Sequence, residues 1–232
     1  MRQFLVVTLI LFSTSILIYA KPVEKNKPIT NNIWMSTAYT LNQNEFAIGI
    51  GPINVGLTDR IQFGSNILMF LFQNYNANFK MNVYQNSKMA VATGLELYRY
   101  NLSVLKMDQE FRYNTVAPFI VISTMTGEYT NLHVSSRFDV FGTDEYADRI
   151  RIGISTDQLM FMAGIEQIVS HRTRFLFESG YLVGDPGIQM SIGVLFCWIH
   201  FRLKLGVGYY NSKGERNGFT LPVIGLWWRF NG

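Results

Sequence analysis

Apolar and polar side chains alternate along most of the chain after residue 20, in segments of roughly ten residues separated by Asn, Gly, Asp and Ser. The alternation is clearest in residues 78–84 (NFKMNVY) and 149–155 (RIRIGIS). A period of two predicts β-strands with one apolar and one polar face. Strands of globular proteins are usually about five or six residues long, whereas a tilted strand needs roughly 9–11 residues to cross a bilayer. The pattern therefore predicts an all-β fold of membrane-spanning strands.

These segments predict a single antiparallel transmembrane β-barrel of about twelve strands, with ten or fourteen left open. Bacterial single-chain barrels have even strand numbers, yet thirteen segments alternate, so at least one boundary is misplaced. Near Trp198 the apolar phase changes without a turn residue, which fits one bulged strand or a tight hairpin. The thirteen segments are residues 34–41, 45–56, 59–72, 76–85, 88–100, 115–125, 129–141, 147–155, 159–169, 172–183, 187–199, 200–210 and 219–230.

The two faces of each segment predict which side chains meet lipid. The clearest lipid-facing row consists of Ile188, Met190, Ile192, Val194, Phe196 and Trp198. A basic side chain facing lipid at the bilayer midplane costs about 2–4 kcal/mol, so the charged residues are expected to face inward. The predicted lumen-lining residues are Lys80, Arg137, Arg149, Arg151, Arg174, Glu178, Arg202 and Lys204. The four tryptophans fall near predicted strand ends, where interfacial aromatic girdles form.

The N-terminus has the pattern of an export signal. Arg2 precedes an almost wholly apolar stretch that runs to Tyr19, and the small residue Ala20 stands before the polar Lys21. The apolar stretch is short for a membrane-spanning helix, which needs about 20 residues. We therefore expect a cleaved signal peptide at residues 1–20, a flexible N-terminal segment at 21–33 and the transmembrane barrel at 34–232.

Composition supports a membrane barrel and disfavours other classes. Charged residues make up 16% of the chain, against about 25% in ordinary soluble domains, and aromatic residues make up 15%. Past the signal, no uninterrupted apolar run of the length of a transmembrane helix occurs. The lone Cys197 excludes an internal disulfide. The net charge is +4, or +3 without Arg2, which is too small to indicate a nucleic-acid partner.

The C-terminal segment carries a resemblance to a known group. Ile224, Leu226, Trp228 and Phe230 place apolar residues at every second position before the chain end, followed by Asn231 and Gly232. With the signal peptide and the long amphipathic strands, this pattern resembles that of porin-like outer-membrane β-barrel proteins of Gram-negative bacteria. The segments 45–51 (EFAIGIG) and 56–64 (GLTDRIQFG) are also similar to hairpins of uncharacterised members. The resemblance implies a location among outer-membrane lipids and delivery to the barrel-assembly machinery through the last strand.

The predicted inner charges leave two functions open. A lumen lined by arginines raises the local concentration of anions, which favours a small-solute pore with a modest anion preference. Asp139, Glu166 and Glu178 share that face, and they could instead pair with the arginines and close the interior. Barrels of eight strands fill with side chains and those of sixteen leave a channel. A twelve-stranded barrel is therefore compatible with a pore or with a non-conducting structural or adhesion barrel.

An enzymatic role is the third hypothesis. His133 and Ser135 lie on one face of a predicted strand, and a carboxylate such as Asp139 or Glu145 could orient the imidazole. This His-x-Ser spacing faintly resembles outer-membrane lipid A deacylases, but the pair faces the predicted lumen and no oxyanion donors are identifiable. The three histidines lack the paired spacing of metal ligands, and we expect no metal and no cofactor. A secreted soluble β-sandwich would leave a large apolar surface exposed.

Overall fold

The structure is a computed structural model that describes residues 29–70, 74–101, 112–144, 149–184, 186–212 and 218–231. The predicted signal peptide and residues 21–28 lie outside the described residues. The twelve strands are β1 (Glu45–Ile50), β2 (Pro52–Thr58), β3 (Ile61–Asn66), β4 (Asn74–Gln85), β5 (Met89–Asn101), β6 (Arg112–Gly127), β7 (Thr130–Asp144), β8 (Arg149–Ile168), β9 (Thr173–Leu182), β10 (Gly187–Cys197), β11 (Phe201–Ser212) and β12 (Phe219–Asn231). One short helix, α1 (Ile67–Phe70), follows β3.

The twelve strands form a closed antiparallel barrel. Every strand pairs with its neighbours in sequence, and β1 closes the ring by pairing with β12 in a register that sets Phe46 opposite Phe230. Closure leaves no strand edge without a partner. The predicted fold class and strand number are thereby confirmed. In the described part of the chain, no helix has the length and apolar character needed to cross a membrane.

The strand boundaries differ from the predicted ones at four main places. The predicted segment 59–72 is a strand only as far as Asn66 and continues as α1. Residues 34–41 form no strand. The predicted segment 45–56 is two strands that turn at Gly51, whose φ of 123° is a conformation that favours glycine. The predicted segments 147–155 and 159–169 are one long strand, β8. Twelve strands therefore result because one predicted segment is lost, one is divided and two are merged.

The two ends of the barrel differ in the length of their connections. At the end that holds Glu45 and Asn231, which we call the terminal end, the strands are joined by two to four residues. At the opposite end, which we call the loop end, the connections reach ten residues. Bacterial outer-membrane barrels have short periplasmic turns and longer extracellular loops. The chain therefore has the end-to-end asymmetry of that class.

The outer face is apolar, as the alternation predicts. Ile192 is 56% exposed and Phe230 is 48% exposed, although both are large and apolar. Trp198 departs from the predicted lipid-facing row because β10 ends one residue before it, and its side chain is buried. Trp227 faces inward, whereas Trp228, the next residue along β12, faces outward. Outward apolar rows are what a lipid environment would cover.

Candidate functional site in the lumen

Residues 29–41 fold inside the barrel, and we call this segment the plug. It is an irregular loop without strand or helix, folded back on itself through an isolated bridge between Asn31 and Ser36. The Thr37 backbone N–H donates to the Thr30 carbonyl at 3.1 Å, and the Thr37 hydroxyl donates to the Ile29 carbonyl at 2.5 Å. The plug is therefore a compact loop that brings its own backbone polar groups to the barrel wall.

The plug spans the lumen from wall to wall. Lys80 on β4 contacts it from one side, and on the other side the Ile33 side chain lies 3.4 Å from where a Cβ on Gly193 of β10 would stand. In the ring, β4 and β10 are six strands apart and therefore lie opposite each other. On β3, Gln62 accepts a hydrogen bond from the Leu41 N–H at 3.0 Å. The plug thus bridges the full width of the barrel.

Two lysines of the wall bind the plug through its carbonyl groups. The Lys80 ammonium donates to the carbonyls of Thr30 at 2.8 Å and Thr37 at 3.2 Å. From the far wall, the Lys204 ammonium donates to the carbonyls of Asn32 and Ile33. Both lysines were predicted to line the lumen, and both are buried there. Their charges face the backbone of this chain in the state described.

One carboxylate binds the plug through its amides. Glu178 on β9 accepts hydrogen bonds from three consecutive backbone N–H groups: Ile33 at 2.6 Å, Trp34 at 2.8 Å and Met35 at 3.0 Å. The Ser191 hydroxyl donates to the same carboxylate at 3.1 Å. Hydrogen bonds to a charged acceptor are about twice as strong as neutral ones. Glu178 therefore fixes the tip of the plug, where the three amides would otherwise be buried without partners.

Glycines in the wall make room for plug side chains. A Cβ at Gly208 of β11 would overlap the ring of Trp34. A Cβ at Gly164 of β8 would meet the side chains of Asn32 and Met35. The barrel wall is therefore hollowed at the positions where the plug packs against it.

Two apolar clusters join the plug to the wall on either side. On one side Ile29 and Ile33 pack with Leu176, Leu195 and Cys197, which all face inward. The second cluster consists of the plug residues Met35, Ala38 and Tyr39 and the wall residues Ala90, Ala92, Phe119 and Val121. Burial of apolar side chains contributes about 25 cal/mol per Å². The inner wall is apolar here because it faces protein rather than water.

Two of the remaining predicted lumen residues make buried contacts within the wall. Arg174 forms an ion pair with Glu166, and both side chains are buried. Arg202 donates to the carbonyls of Trp198 and Phe201. The sequence reasoning did not identify the buried pair of Glu45 and Arg229, although the alternation on β1 and β12 places both residues on the inner face.

Arg137 is more exposed than the other described basic residues of the inner wall. Its guanidinium lies 3.2 Å from the Glu96 carboxylate and 5.8 Å from the centre of the Tyr98 ring. The Tyr98 hydroxyl donates to Glu96 at 2.7 Å. The Arg137 side chain is 36% exposed, so this cluster faces solvent. Arg149 and Arg151 lie on β8, and their side chains are outside the described residues.

The histidine of the enzymatic hypothesis has a different serine as its partner. His133 Nδ1 lies 2.8 Å from the hydroxyl of Ser123 rather than against Ser135, and His133 Nε2 lies 3.7 Å from Glu166. Ser123 also accepts the backbone N–H of Ala38 at 2.8 Å. The side chains of Ser123, His133 and Glu166 are fully buried. This order of groups resembles a nucleophile, a base and an acid, but the plug covers it, so the three side chains are closed off from solvent in the state described.

Metal ligands do not gather in the described part of the chain. No three His, Cys, Asp or Glu side chains among the described residues lie close enough to hold an ion. His171 and His200 lie in separate turns at the terminal end, away from His133 on β7.

Comparison with known proteins identifies the architecture. No family model and no curated protein matches the chain. Among solved structures, the chain is similar to the KdgM porin in complex with disordered oligogalacturonate, with a TM-score of 0.53 and 11% identity over 80% of this chain and 96% of that one. Outer-membrane expressed OmpT of Vibrio cholerae aligns with a TM-score of 0.39 and 10% identity over 92% of this chain and 72% of that one. The first similarity establishes the fold, that of an outer-membrane porin barrel.

Proposed function

We propose that the protein is an outer-membrane pore for small solutes with a modest anion preference, and that the plug closes the pore in the state described. The observation that carries this proposal is the way in which the lumen is filled. The wall leaves a space across its full width, and a separate loop of residues 29–41 fills it through hydrogen bonds and side-chain packing. In this proposal the loop leaves the lumen while the barrel stays folded.

The proposed location rests on three observations. The outer face is covered by exposed apolar side chains such as Ile192 and Phe230, which water would not stabilise. The connections are short at the terminal end and longer at the loop end, as in outer-membrane barrels. The fold is that of a porin solved in complex with oligogalacturonate. The predicted signal peptide would direct export, and the C-terminal strand would be the segment that the assembly machinery binds.

The proposed anion preference follows from the balance of inward charges. Among the described side chains of the inner wall, six are basic and four are acidic. They are Lys80, Arg137, Arg174, Arg202, Lys204 and Arg229, against Glu45, Glu96, Glu166 and Glu178. When the plug leaves, Lys80, Lys204 and Glu178 lose their backbone partners, so two cations and one carboxylate become available to the lumen. A narrow passage with excess positive charge raises the local anion concentration.

A non-conducting barrel is the second candidate function. The favouring observation is the depth of the packing, because Ala38 and Leu41 are completely buried and apolar clusters join the plug to both sides of the wall. A permanent filling of this kind would make a rigid barrel for a structural or adhesive role. The two candidates differ in whether the loop ever leaves the lumen.

The test is planar-bilayer conductance of the folded chain and of a variant with a loosened plug. Ile33→Ser with Trp34→Ser removes apolar contacts and leaves all wall charges in place. We expect longer-lived current steps in this variant than in the parent. In a salt gradient, we expect the reversal potential to be displaced toward the equilibrium potential of the anion. Adding Lys80→Gln and Lys204→Gln should remove most of that displacement.

The matched control is Arg60→Gln with Lys88→Gln, which removes two cations from exposed turns at the terminal end. This change should leave the reversal potential unaltered because the turns lie outside the lumen. Heat-modifiable gel mobility verifies that each variant is folded. If every folded variant passes no current, the protein is a non-conducting barrel. If the plug variant conducts but Lys80 and Lys204 have no effect, the anion preference is wrong and the pore stands.

A further inference from the structure

The barrel wall is lower at β1 and β2 than at the strands on either side. β1 has six residues and β2 has seven, whereas β12 has 13 and β4 has 12. All four strands reach the terminal end, so the β1–β2 hairpin, which turns at Gly51, ends short of the loop end. Six residues extend about 20 Å along a strand, and a tilt of about 40° reduces this to about 15 Å of the roughly 25 Å apolar band. The top of the hairpin therefore lies within the hydrocarbon of the leaflet nearer the loop end.

β12 stands beside this low wall and is paired with β1 over only part of its length. On the β11 side its ladder extends to Phe219, but on the β1 side the ladder ends at the pair of Ile50 and Leu226. Among the described residues, none pairs with residues 219–225 on the β1 side. We call the space between residues 219–225 and the top of the hairpin the slot.

The short helix α1 covers the hairpin on the side of β4. The Ile67 N–H donates to the Gly51 carbonyl at 2.8 Å, and the Phe70 ring lies 5.5 Å from the Tyr75 ring at the start of β4. The described residues that border the slot are therefore those of β12 on one side and those of the hairpin with α1 on the other.

The backbone of β12 presents few polar groups to the slot. The Arg229 N–H donates to the His200 carbonyl at 2.6 Å, on the β11 side. Residues of an antiparallel strand bond alternately to the two neighbouring strands, so Thr220, Pro222 and Ile224 direct their backbone groups to the slot. Proline has no N–H and is found in sheets mainly at edges. Pro222 therefore removes a donor that lipid could not satisfy, and it disfavours the addition of another strand at this edge.

Both faces of β12 beside the slot are apolar and exposed. Val223 packs against the inner apolar cluster, so Leu221 and Phe219, which follow at every second position, point into the lumen. Leu221 is 48% exposed and Phe219 is 45% exposed, and the outward Ile224 is 55% exposed. None of the segments that border the slot carries a charge: residues 50–54, 67–70 and 219–226. An uncharged, apolar border favours apolar molecules over ions.

We propose that the slot is a lateral passage through which small apolar solutes move between the loop-end half of the lumen and the hydrocarbon of the adjoining leaflet. A solute that enters at the loop end contacts Phe219 and Leu221 on the inner face and leaves beside Pro222. The passage does not require the plug to leave the lumen, so it is independent of whether the barrel conducts ions.

The first experiment measures how fast single cysteines react with a maleimide on a hydrocarbon chain that is dissolved in the liposome membrane. In a Cys197→Ser background, Leu221→Cys should react about as fast as Ile192→Cys, which faces lipid directly. Gln189→Cys is the matched control, because it faces the lumen on β10, which is paired on both sides. It should react at least about tenfold more slowly, since withdrawing even two CH₂ groups from hydrocarbon disfavours the reaction by that factor.

A charged, water-soluble maleimide should react with both Leu221→Cys and Gln189→Cys, because both positions face the lumen. If the membrane-dissolved reagent reacts with these two cysteines equally slowly, the wall is closed and the proposal is wrong. If Leu221→Cys reacts only with the membrane-dissolved reagent, the residue faces lipid alone and there is no passage.

The second experiment measures passage as the uptake of apolar phenylnaphthylamine by cells that produce the protein. The dye must otherwise cross the polar headgroup layer, so the parent should speed its uptake. Leu221→Trp with Val223→Trp narrows the slot and should abolish this gain, whereas Val194→Trp adds bulk to the outer face of β10 and should keep it. Heat-modifiable gel mobility verifies folding. No gain in the parent, or an equal gain in the folded, narrowed variant, would overturn the proposal.

Discussion

Glu178 shows how a charge that the sequence places in the lumen can bind the chain itself. The alternation on β9 predicts that this carboxylate points inward, because the outward alternative would bury it in lipid. Its partners are the backbone amides of Ile33, Trp34 and Met35, which lie more than 140 residues earlier in the sequence. Periodicity determines the direction of a side chain but carries no information about a partner this distant. The face of each predicted lumen residue was therefore accessible from sequence, whereas its contact was not.

Replacement of this carboxylate should loosen the plug and leave the barrel intact. In Glu178→Gln the neutral amide accepts fewer and weaker hydrogen bonds, so we expect the plug to lose about 2 kcal/mol of binding, or about thirtyfold in amide protection. Hydrogen exchange at Ile33, Trp34 and Met35 measures this loss. Glu96→Gln is the matched control, because Glu96 contacts Arg137 and Tyr98 and none of the plug groups described here. Unchanged protection in Glu178→Gln would show that this carboxylate does not fix the plug.

At the scale of elements, the strands were predictable and the plug was not. Two predicted segments merge into β8, which stays one strand through an irregularity in its pairing with β7 between Ser155 and Met160, and 45–56 divides at Gly51 because alternation persists across a one-residue turn. Residues 29–41 mix polar and apolar side chains without a sustained period. The sequence therefore predicts the end of a flexible segment (21–33) and a first strand (34–41), and it does not predict a loop inside the barrel. Apolar residues such as Ile33, Trp34 and Met35 were the available signal that this segment is buried.

Substitution of Ser123 on β6, which contacts both the plug and His133, tests whether the buried histidine has a structural or a catalytic role. Ser123→Ala leaves the Ala38 N–H without its acceptor and His133 without its hydroxyl partner, so we expect a loss of about 1–3 kcal/mol in the free energy of unfolding. Ser135→Ala should change this free energy by about 0.5 kcal/mol or less, since no contact described for Ser135 is lost. Unfolding followed by heat-modifiable gel mobility measures both. A larger loss in Ser135→Ala than in Ser123→Ala would show that the histidine network is wrongly assigned.

At the scale of the whole molecule, the barrel and its filling have different origins. Antiparallel closure follows from long amphipathic strands that must leave no edge unpaired in lipid. Filling follows from a space that side chains of a twelve-stranded wall do not close, as the glycines at Gly164 and Gly208 illustrate. The chain supplies its own filling from the segment next to β1. In the proposed pore, passage of solutes would then depend on the position of one loop.

The most direct test of this account is conductance of a barrel whose plug is covalently held. Ala38→Cys with Ser123→Cys places two thiols at a site where the Ala38 nitrogen lies 2.8 Å from the Ser123 hydroxyl, and Cys197→Ser removes the native thiol. The oxidised, cross-linked protein should give no current steps, and the same protein after reduction should give them. Cys197→Ser alone should not respond to the reductant. Equal currents before and after reduction, in protein shown by mass to be cross-linked and then released, would contradict a plug that controls the pore.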